Sequence, residues 1–175
     1  ESFYVLETAR FLLTRGFSVM RLNLRGAGPS RSTCAGHYSA ASSSDLATVL
    51  RQLSPDLTRR ELVLVGYSLG GNVILKYLAE HPLEIVPACA VVVSPPIDLA
   101  AASRRMMEGR NRLYHRWLLN WMAAEATGGA AELCVGECAA IAAARTVYQF
   151  DDLFVAPRNG FDGADDYYAK CWAAG

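Results

Sequence analysis

The chain has 175 residues, 52% of them hydrophobic, and its 17 basic residues balance 17 acidic ones, so its formal net charge is zero. This length and composition suit one globular domain with a sizeable core. Because no net field attracts a polyanion, the sequence predicts no nucleic-acid partner. No apolar run has the length of a membrane-spanning helix, so we expect membrane association only through a segment that precedes Glu1.

The first predicted elements are a helix, a strand and a second helix. Apolar residues recur at helical spacing from Phe3 to Leu13 and stop before Gly16, which predicts a helix with a glycine cap. Residues 17–24 then predict a strand, and the glycines and proline of residues 25–30 predict a loop. Residues 44–53 have an apolar period near 3.6 and predict a second helix, with Ser44 or Asp45 as its cap.

The middle of the chain predicts a strand, a helix and another strand. Residues 62–65 form a short apolar run, residues 69–80 have a helical pattern, and residues 88–94 form a second apolar run bounded by prolines. Strands that are apolar on both faces and alternate with helices indicate an α/β fold. We therefore predict a parallel sheet with helices on both faces.

The pattern changes after Pro96. Residues 97–145 show no strand pattern and predict a helical insertion, which we expect to cap an active site because such insertions leave from strand ends where ligands bind. Residues 146–157 predict an irregular segment, followed by helix to the end. No linker divides residues 1–175, which predict a single domain. One broad apolar face is predicted for the insertion, made by Leu113, Tyr114, Trp117, Leu118, Trp121 and Met122.

A sharp strand-to-helix turn is predicted around Ser68. The sequence Gly66-Tyr-Ser-Leu-Gly70 follows the strand and opens the helix, which is the context of a nucleophile elbow. The tight turn requires little or no side chain two residues to either side of the serine, and Gly71 lets the helix approach the sheet. Ser68 is therefore the candidate nucleophile, and the Leu69 backbone N–H at the helix N-terminus is the candidate oxyanion donor.

A serine nucleophile needs a histidine base and an acid, usually in the chain order serine, acid, histidine. His37 precedes Ser68, and at about 1.5 Å per helical residue His81 lies roughly 18 Å away. His115 alone follows the required order, and Asp98, directly after a strand, could orient a histidine. We nevertheless interpret His115 as a polar residue on a helix face, so Ser68 is the one catalytic side chain that we assign.

The remaining acids and the cysteines predict no further site. Asp151 and Asp152 could act as an acid pair, but we favour a role in capping or tying down their segment. Cys134 and Cys138 lie one helical turn apart, and we expect both to be buried small hydrophobes. The sequence thus predicts no metal and no cofactor. An odd number of cysteines without metal spacing favours a reducing, cytoplasmic location: Cys34, Cys89, Cys134, Cys138 and Cys171.

Four segments together match the pattern of a known family: Arg21–Ser30, Val65–Leu78, Val93–Leu99 and Phe150–Pro157 with Gly160-Phe161 and Asp166-Tyr-Tyr168. They resemble the YheT-like α/β-hydrolases, which are serine esterases and lipases, some of which transfer medium-chain acyl groups to alcohols. The resemblance implies an incomplete α/β-hydrolase fold, with a His-Gly oxyanion loop before residue 1 and the triad acid and histidine beyond Gly175. Tyr38-Ser-Ala-Ala41 departs from the family's Tyr-His-Ala-Gly.

The leading hypothesis is a serine carboxylic-ester hydrolase that acts on apolar acyl esters, of small-molecule or lipid type, through an acyl-enzyme on Ser68. The expected cap around Trp117 and Trp121 suggests the apolar acyl chain. One alternative is an acyltransferase that makes medium-chain esters. Another is a non-catalytic truncated or pseudo-hydrolase, and we expect residues 1–175 alone to be inactive and poorly stable.

Overall fold

The structure is a computed structural model that describes residues 2–58, 61–80, 85–128 and 132–173. Its two strands are Val63–Tyr67 (β1) and Cys89–Val93 (β2). Short 3-10 turns span Gly28–Ser32 and Gly109–Asn111, and a π-helical turn spans Asp151–Val155. The α-helical segments are Phe3–Thr14 (α1), Ser43–Gln52 (α2), Pro55–Thr58 (α3), Leu69–Glu80 (α4), Leu99–Met106 (α5), Arg112–Thr127 (α6), Val135–Ala143 (α7), Val147–Phe150 (α8), Ala156–Arg158 (α9) and Ala164–Cys171 (α10).

β1, α4 and β2 form a parallel β-α-β unit, as the sequence predicts. The strands pair in register from Val63 opposite Cys89 to Tyr67 opposite Val93. Parallel neighbours need a crossover connection, and α4 supplies it. The predicted α/β class and parallel sheet are therefore confirmed.

The two faces of the sheet are covered unequally. On one face, Leu64 of β1 lies in a core cluster with Ile74 and Tyr77 of α4 and with Leu46 and Leu50 of α2. On the other face, α1 packs at the end of β1. There, Thr8 hydrogen-bonds the Tyr67 hydroxyl, and the rings of Tyr4 and Tyr67 lie 4.9 Å apart. Four valines of this second face remain 37–44% exposed: Val63, Val65, Val91 and Val93.

The strand predicted for residues 17–24 is wrong, because these residues pair with no strand in the described part of the chain. Phe17 and Met20 are more than half exposed. A strand pattern becomes a strand only when a neighbour completes its backbone hydrogen bonds. The predicted cap of α2 is also displaced: Ser42 precedes the helix, and Asp45 lies in its first turn, where it pairs with Arg25.

The described part of the predicted insertion contains the helices α5, α6 and α7 and no strand. However, the single broad apolar face predicted for α6 is wrong. Met122 packs towards the core cluster that contains Phe150 and Phe154, whereas Trp117 and Trp121 are 59% and 44% exposed. At about 100° per residue, the helix directs these residues to different sides. Trp117 and Trp121 therefore face away from the core of the described residues, which gives no support to their predicted role around an apolar acyl chain.

The segment predicted to be irregular, residues 146–157, is helical. The Thr146 hydroxyl caps α8, and the π-helical turn that follows brings Phe150 and Phe154 into the core with 0% and 1% exposure. A π-helical turn adds a residue to the repeat, so its apolar residues do not follow the 3.6-residue period. That mismatch explains why periodicity failed here.

Candidate active site

Ser68 occupies the turn between β1 and α4 in a left-handed backbone conformation, with φ at +48°. Its N–H donates to the Val93 carbonyl at 2.9 Å, and its own carbonyl accepts from Gly71 N at 2.9 Å and Asn72 N at 3.2 Å. A non-glycine residue in this conformation costs about 1–3 kcal/mol, and hydrogen bonds on both sides of Ser68 hold it there. The side chain is exposed. The strand, turn and helix thus lie where the sequence predicts them.

The glycines around Ser68 have different roles. A Cβ at Gly66 would lie 2.7 Å from the Gly70 carbonyl oxygen and 2.8 Å from the Gly71 Cα, so this position excludes a side chain. A Cβ at Gly71 would lie 3.1 Å from Pro95 and 3.3 Å from Val92, which confirms that this glycine allows close approach to the sheet. A Cβ at Gly70, in contrast, would meet no described atom within 4 Å. The predicted steric requirement at Gly70 is therefore wrong.

The Leu69 backbone N–H is available at the N-terminus of α4. The first amides of a helix have no intrahelical acceptor, and the Leu69 amide has none among the described residues. The positive end of the dipole of this 12-residue helix lies at the same place. Such an amide can hold a developing oxyanion beside the serine. Its role in this protein stays a prediction.

Two buried polar residues fix α4 against the end of α10. Asn72 is 0% exposed, and its Nδ2 donates to the Cys171 carbonyl at 3.3 Å. Lys76 is 3% exposed, and its Nζ donates to the Lys170 carbonyl at 2.9 Å and to Glu80 at 2.5 Å. These contacts satisfy carbonyls that the last turn of a helix leaves free. Sequence reasoning missed this role, although two polar residues four apart on an otherwise apolar helix were a signal for it.

No described histidine contacts Ser68. His37 packs on the Phe154 ring at 5.3 Å, and burial, with the nearby Arg158 charge, lowers the pKa of its imidazole to about 4. His115 is buried, not exposed on a polar face as predicted, and its Nε2 accepts the Val147 amide at 3.0 Å. His81 lies outside the described residues. Neither His37 nor His115 is therefore hydrogen-bonded to Ser68 in the described part of the chain.

The acidic candidates have structural contacts. Asp98 caps α5 by accepting the Ala101 amide at 2.8 Å. Asp152 accepts the Ala164 amide at 2.8 Å and so ties the π-helical turn to the start of α10. Asp151 is buried and accepts the Tyr168 hydroxyl at 2.6 Å, and burial raises the pKa of its carboxyl to about 7. The favoured interpretation of Asp151 and Asp152, that they tie down their segment, is confirmed.

A sequence model of the α/β-hydrolase fold matches residues 1–133. The chain belongs to the α/β-hydrolase fold family. The two described strands and their helices are consistent with an incomplete fold of this family. No solved structure matches the chain.

Several curated proteins are similar in sequence. The chain is 32% identical to the protein named "Putative esterase YheT" of Escherichia coli strain K12, over 91% of this chain and 48% of that protein. It is 26% identical to a monoacylglycerol lipase of Saccharomyces cerevisiae, over 87% of this chain and 36% of that protein. A non-heme haloperoxidase of Rhodococcus erythropolis is 32% identical over 53% of this chain and 33% of its own length. The chain spans about half or less of the length of these relatives.

Two of the cysteines lie near the start of α7. Cys134 and Cys138 are exposed, so the prediction that both are buried is wrong. Cys134 is the N-cap of α7, where its Sγ accepts the Glu137 amide at 3.4 Å.

Among the described residues, no cluster of three or more histidine, cysteine or acidic side chains could hold a metal ion. None of the helices in this part of the chain is long and apolar enough to cross a membrane.

Proposed function

We propose that the protein is a serine carboxylic-ester hydrolase that acts on apolar acyl esters of small-molecule or lipid type. The observation that carries this proposal is the strained, exposed Ser68 at the N-terminus of α4. Strain at one serine between a strand and a helix is the geometry that presents a nucleophile above a sheet. The names of two relatives, an esterase and a monoacylglycerol lipase, support ester substrates.

In the proposed reaction, the Ser68 hydroxyl attacks the ester carbonyl carbon and loses its proton to a histidine. The C–O bond to the alcohol breaks, the alcohol leaves with that proton, and the acyl group stays on Ser68 as an ester. Water then attacks the acyl-enzyme and releases the carboxylic acid. The Leu69 N–H donates to the oxyanion in both steps.

The histidine and its orienting acid are proposed to come from sequence beyond residue 175. His37 packs on the Phe154 ring, and His115 accepts the Val147 amide. Asp98 caps α5, and Asp151 accepts a buried hydrogen bond from Tyr168. Residues 1–175 without that base are proposed to react slowly or not at all. We also propose that the helical insertion of residues 97–145 caps the site.

The test is fluorophosphonate labelling and ester hydrolysis by the full-length protein with Ser68→Ala. Ser94→Ala is the matched control, because Ser94 follows β2, is exposed and has a positive φ of +50°. We expect Ser68→Ala to abolish both labelling and hydrolysis and Ser94→Ala to retain them. Full hydrolysis by the Ser68→Ala protein would refute the proposal, and a wild-type protein that neither labels nor hydrolyses esters would favour the non-catalytic alternative.

A further inference from the structure

One side of α6 presents large apolar side chains to solvent. Leu113 is 86% exposed, Trp117 59%, Tyr114 54% and Trp121 44%. We call these four residues the α6 aromatic face. On the opposite side of the helix, Ala126 is buried and Met122 packs towards the core. α6 therefore has two apolar sides: one packs on the core, and the other points away from it into solvent.

The α6 aromatic face is continuous along the helix. Leu113, Trp117 and Trp121 are four residues apart, so they align along the helix. The rings of Tyr114 and Trp117 stack with centroids 5.8 Å apart. A contiguous exposed patch of this kind marks an interaction surface more often than scattered apolar residues do. Tryptophan and tyrosine are also the side chains that prefer the boundary between membrane and water.

Basic side chains accompany this face, although the chain as a whole is neutral. Residues 104–116 contain five arginines and one acidic residue, Glu108, which pairs with Arg110. Arg112 and Arg116 lie one turn apart on α6, and at about 100° per residue they flank the aromatic face on one side. Unlike Arg110, the other four arginines of residues 104–116 have no ion pair within the described residues. All five arginines are exposed: Arg104, Arg105, Arg110, Arg112 and Arg116.

We propose that the α6 aromatic face and its arginines dock on the surface of an anionic lipid bilayer. The helix would lie in the plane of the bilayer surface. The tryptophans would lie at the boundary between headgroups and acyl chains, and the guanidinium groups would bind lipid phosphates. The positive charge beside this face favours an anionic bilayer over a second copy of the chain. A second copy of the chain would bring two arginine groups together, and Glu125, the acid of α6, is already paired with Arg31. An anionic surface satisfies both the apolar and the basic residues.

The proposed contact uses residues of α6 and its flanks, and does not require a segment before Glu1. Overall neutrality hides a local excess of positive charge, and the field within about 10 Å of a surface depends on local charges. The inference does not depend on the proposed ester chemistry, because binding to lipid can be measured without turnover. A protein docked in this way would have the lipid esters of the bilayer beside it.

The experiment is flotation of the full-length protein with vesicles of phosphatidylcholine, alone or mixed with phosphatidylserine. One variant, Trp117→Ser with Trp121→Ser, removes the aromatic anchors, and another, Arg112→Gln with Arg116→Gln, removes charge. Matched controls are Phe11→Ser on α1 and Arg51→Gln on α2, each an exposed residue of the same class. Circular dichroism of every variant checks folding, which these exposed substitutions should not alter.

We expect the wild-type protein to prefer the anionic vesicles. The arginine variant should lose roughly 25-fold in affinity for them, since each of the two arginines near an anionic surface contributes about fivefold. The tryptophan variant should bind both vesicle types at least about tenfold more weakly, because burial of each indole favours binding. The two controls should bind as the wild type does.

Three results would overturn the proposal. The wild-type protein could fail to float with anionic vesicles. It could float equally well after both double substitutions, which would place the contact elsewhere. Lastly, sedimentation could reveal a dimer that the tryptophan variant abolishes while vesicle binding is absent, which would assign the face to a second copy. A wild-type protein that binds anionic vesicles but does not hydrolyse esters would instead refute the proposed function alone.

Discussion

Gly66→Ala should lower the stability of the fold and displace Ser68, the proposed nucleophile. The new Cβ would lie 2.7 Å from the Gly70 carbonyl oxygen and 2.8 Å from the Gly71 Cα, where ordinary contact begins at 3.4 Å. The Ile74 side chain, also at 2.7 Å, can rotate, but the two backbone atoms belong to the first turn of α4 and can move only with it. The helix must therefore shift by about 0.7 Å, the difference between 3.4 and 2.7 Å. We expect a loss of about 1–3 kcal/mol in the free energy of unfolding, the usual cost of overpacking.

The same shift displaces Ser68, which lies between Gly66 and α4. A misplacement approaching 1 Å can slow a positioned reaction by about 100-fold. The matched control is Gly70→Ala, because a Cβ there meets nothing within 4 Å and the φ of Gly70 is not positive. Alanine in a helix is favoured over glycine by up to about 1 kcal/mol, so this control should be neutral or stabilising.

The assays are urea unfolding and the rate of fluorophosphonate labelling, both on the full-length protein. Gly66→Ala should unfold at lower urea and label at least tenfold more slowly, whereas Gly70→Ala should unfold at the same or higher urea and label at the wild-type rate. If the two alanine variants behave alike, the close packing of α4 on β1 is not what holds the elbow, and our account of Gly66 is refuted.

Two further predictions concern buried polar groups. Asp151 has a pKa raised from 3.8 to about 7, so the folded protein holds a proton that the unfolded chain loses between about pH 4 and pH 7. The free energy of unfolding should therefore fall as pH rises through this window, by up to about 4 kcal/mol. Asp151→Asn should flatten that fall, as measured by urea unfolding against pH, and parallel profiles would contradict the assignment. His115→Ala leaves the buried Val147 amide without its acceptor and should cost about 1–3 kcal/mol in unfolding free energy with the labelling rate of Ser68 unchanged. Lost labelling at full stability would instead identify His115 as the base.

The buried contacts between α4 and α10 suggest how the strained turn at Ser68 is held in place. Asn72 and Lys76 donate to the last carbonyls of α10, and Asp152 holds the first amide of the same helix. The helix that follows Ser68, α4, is thus joined through α10 to the π-helical turn. A strained turn persists only where its surroundings fix it, and these contacts are such surroundings.

The sequence by itself determined the β1-α4-β2 unit, the position of Ser68 and the need for glycine at Gly66. Each depends on local rules, because apolar runs, helical period and the sterics of a tight turn act over a few residues. The tertiary structure decided the rest. Residues 17–24 have a strand pattern and no strand, since pairing requires a partner that local sequence does not specify. The π-helical turn at Asp151–Val155 lies outside the ordinary helical period. Which side of α6 packs on the core depends on neighbouring helices, and for that reason only the structure shows Trp117 and Trp121 facing solvent.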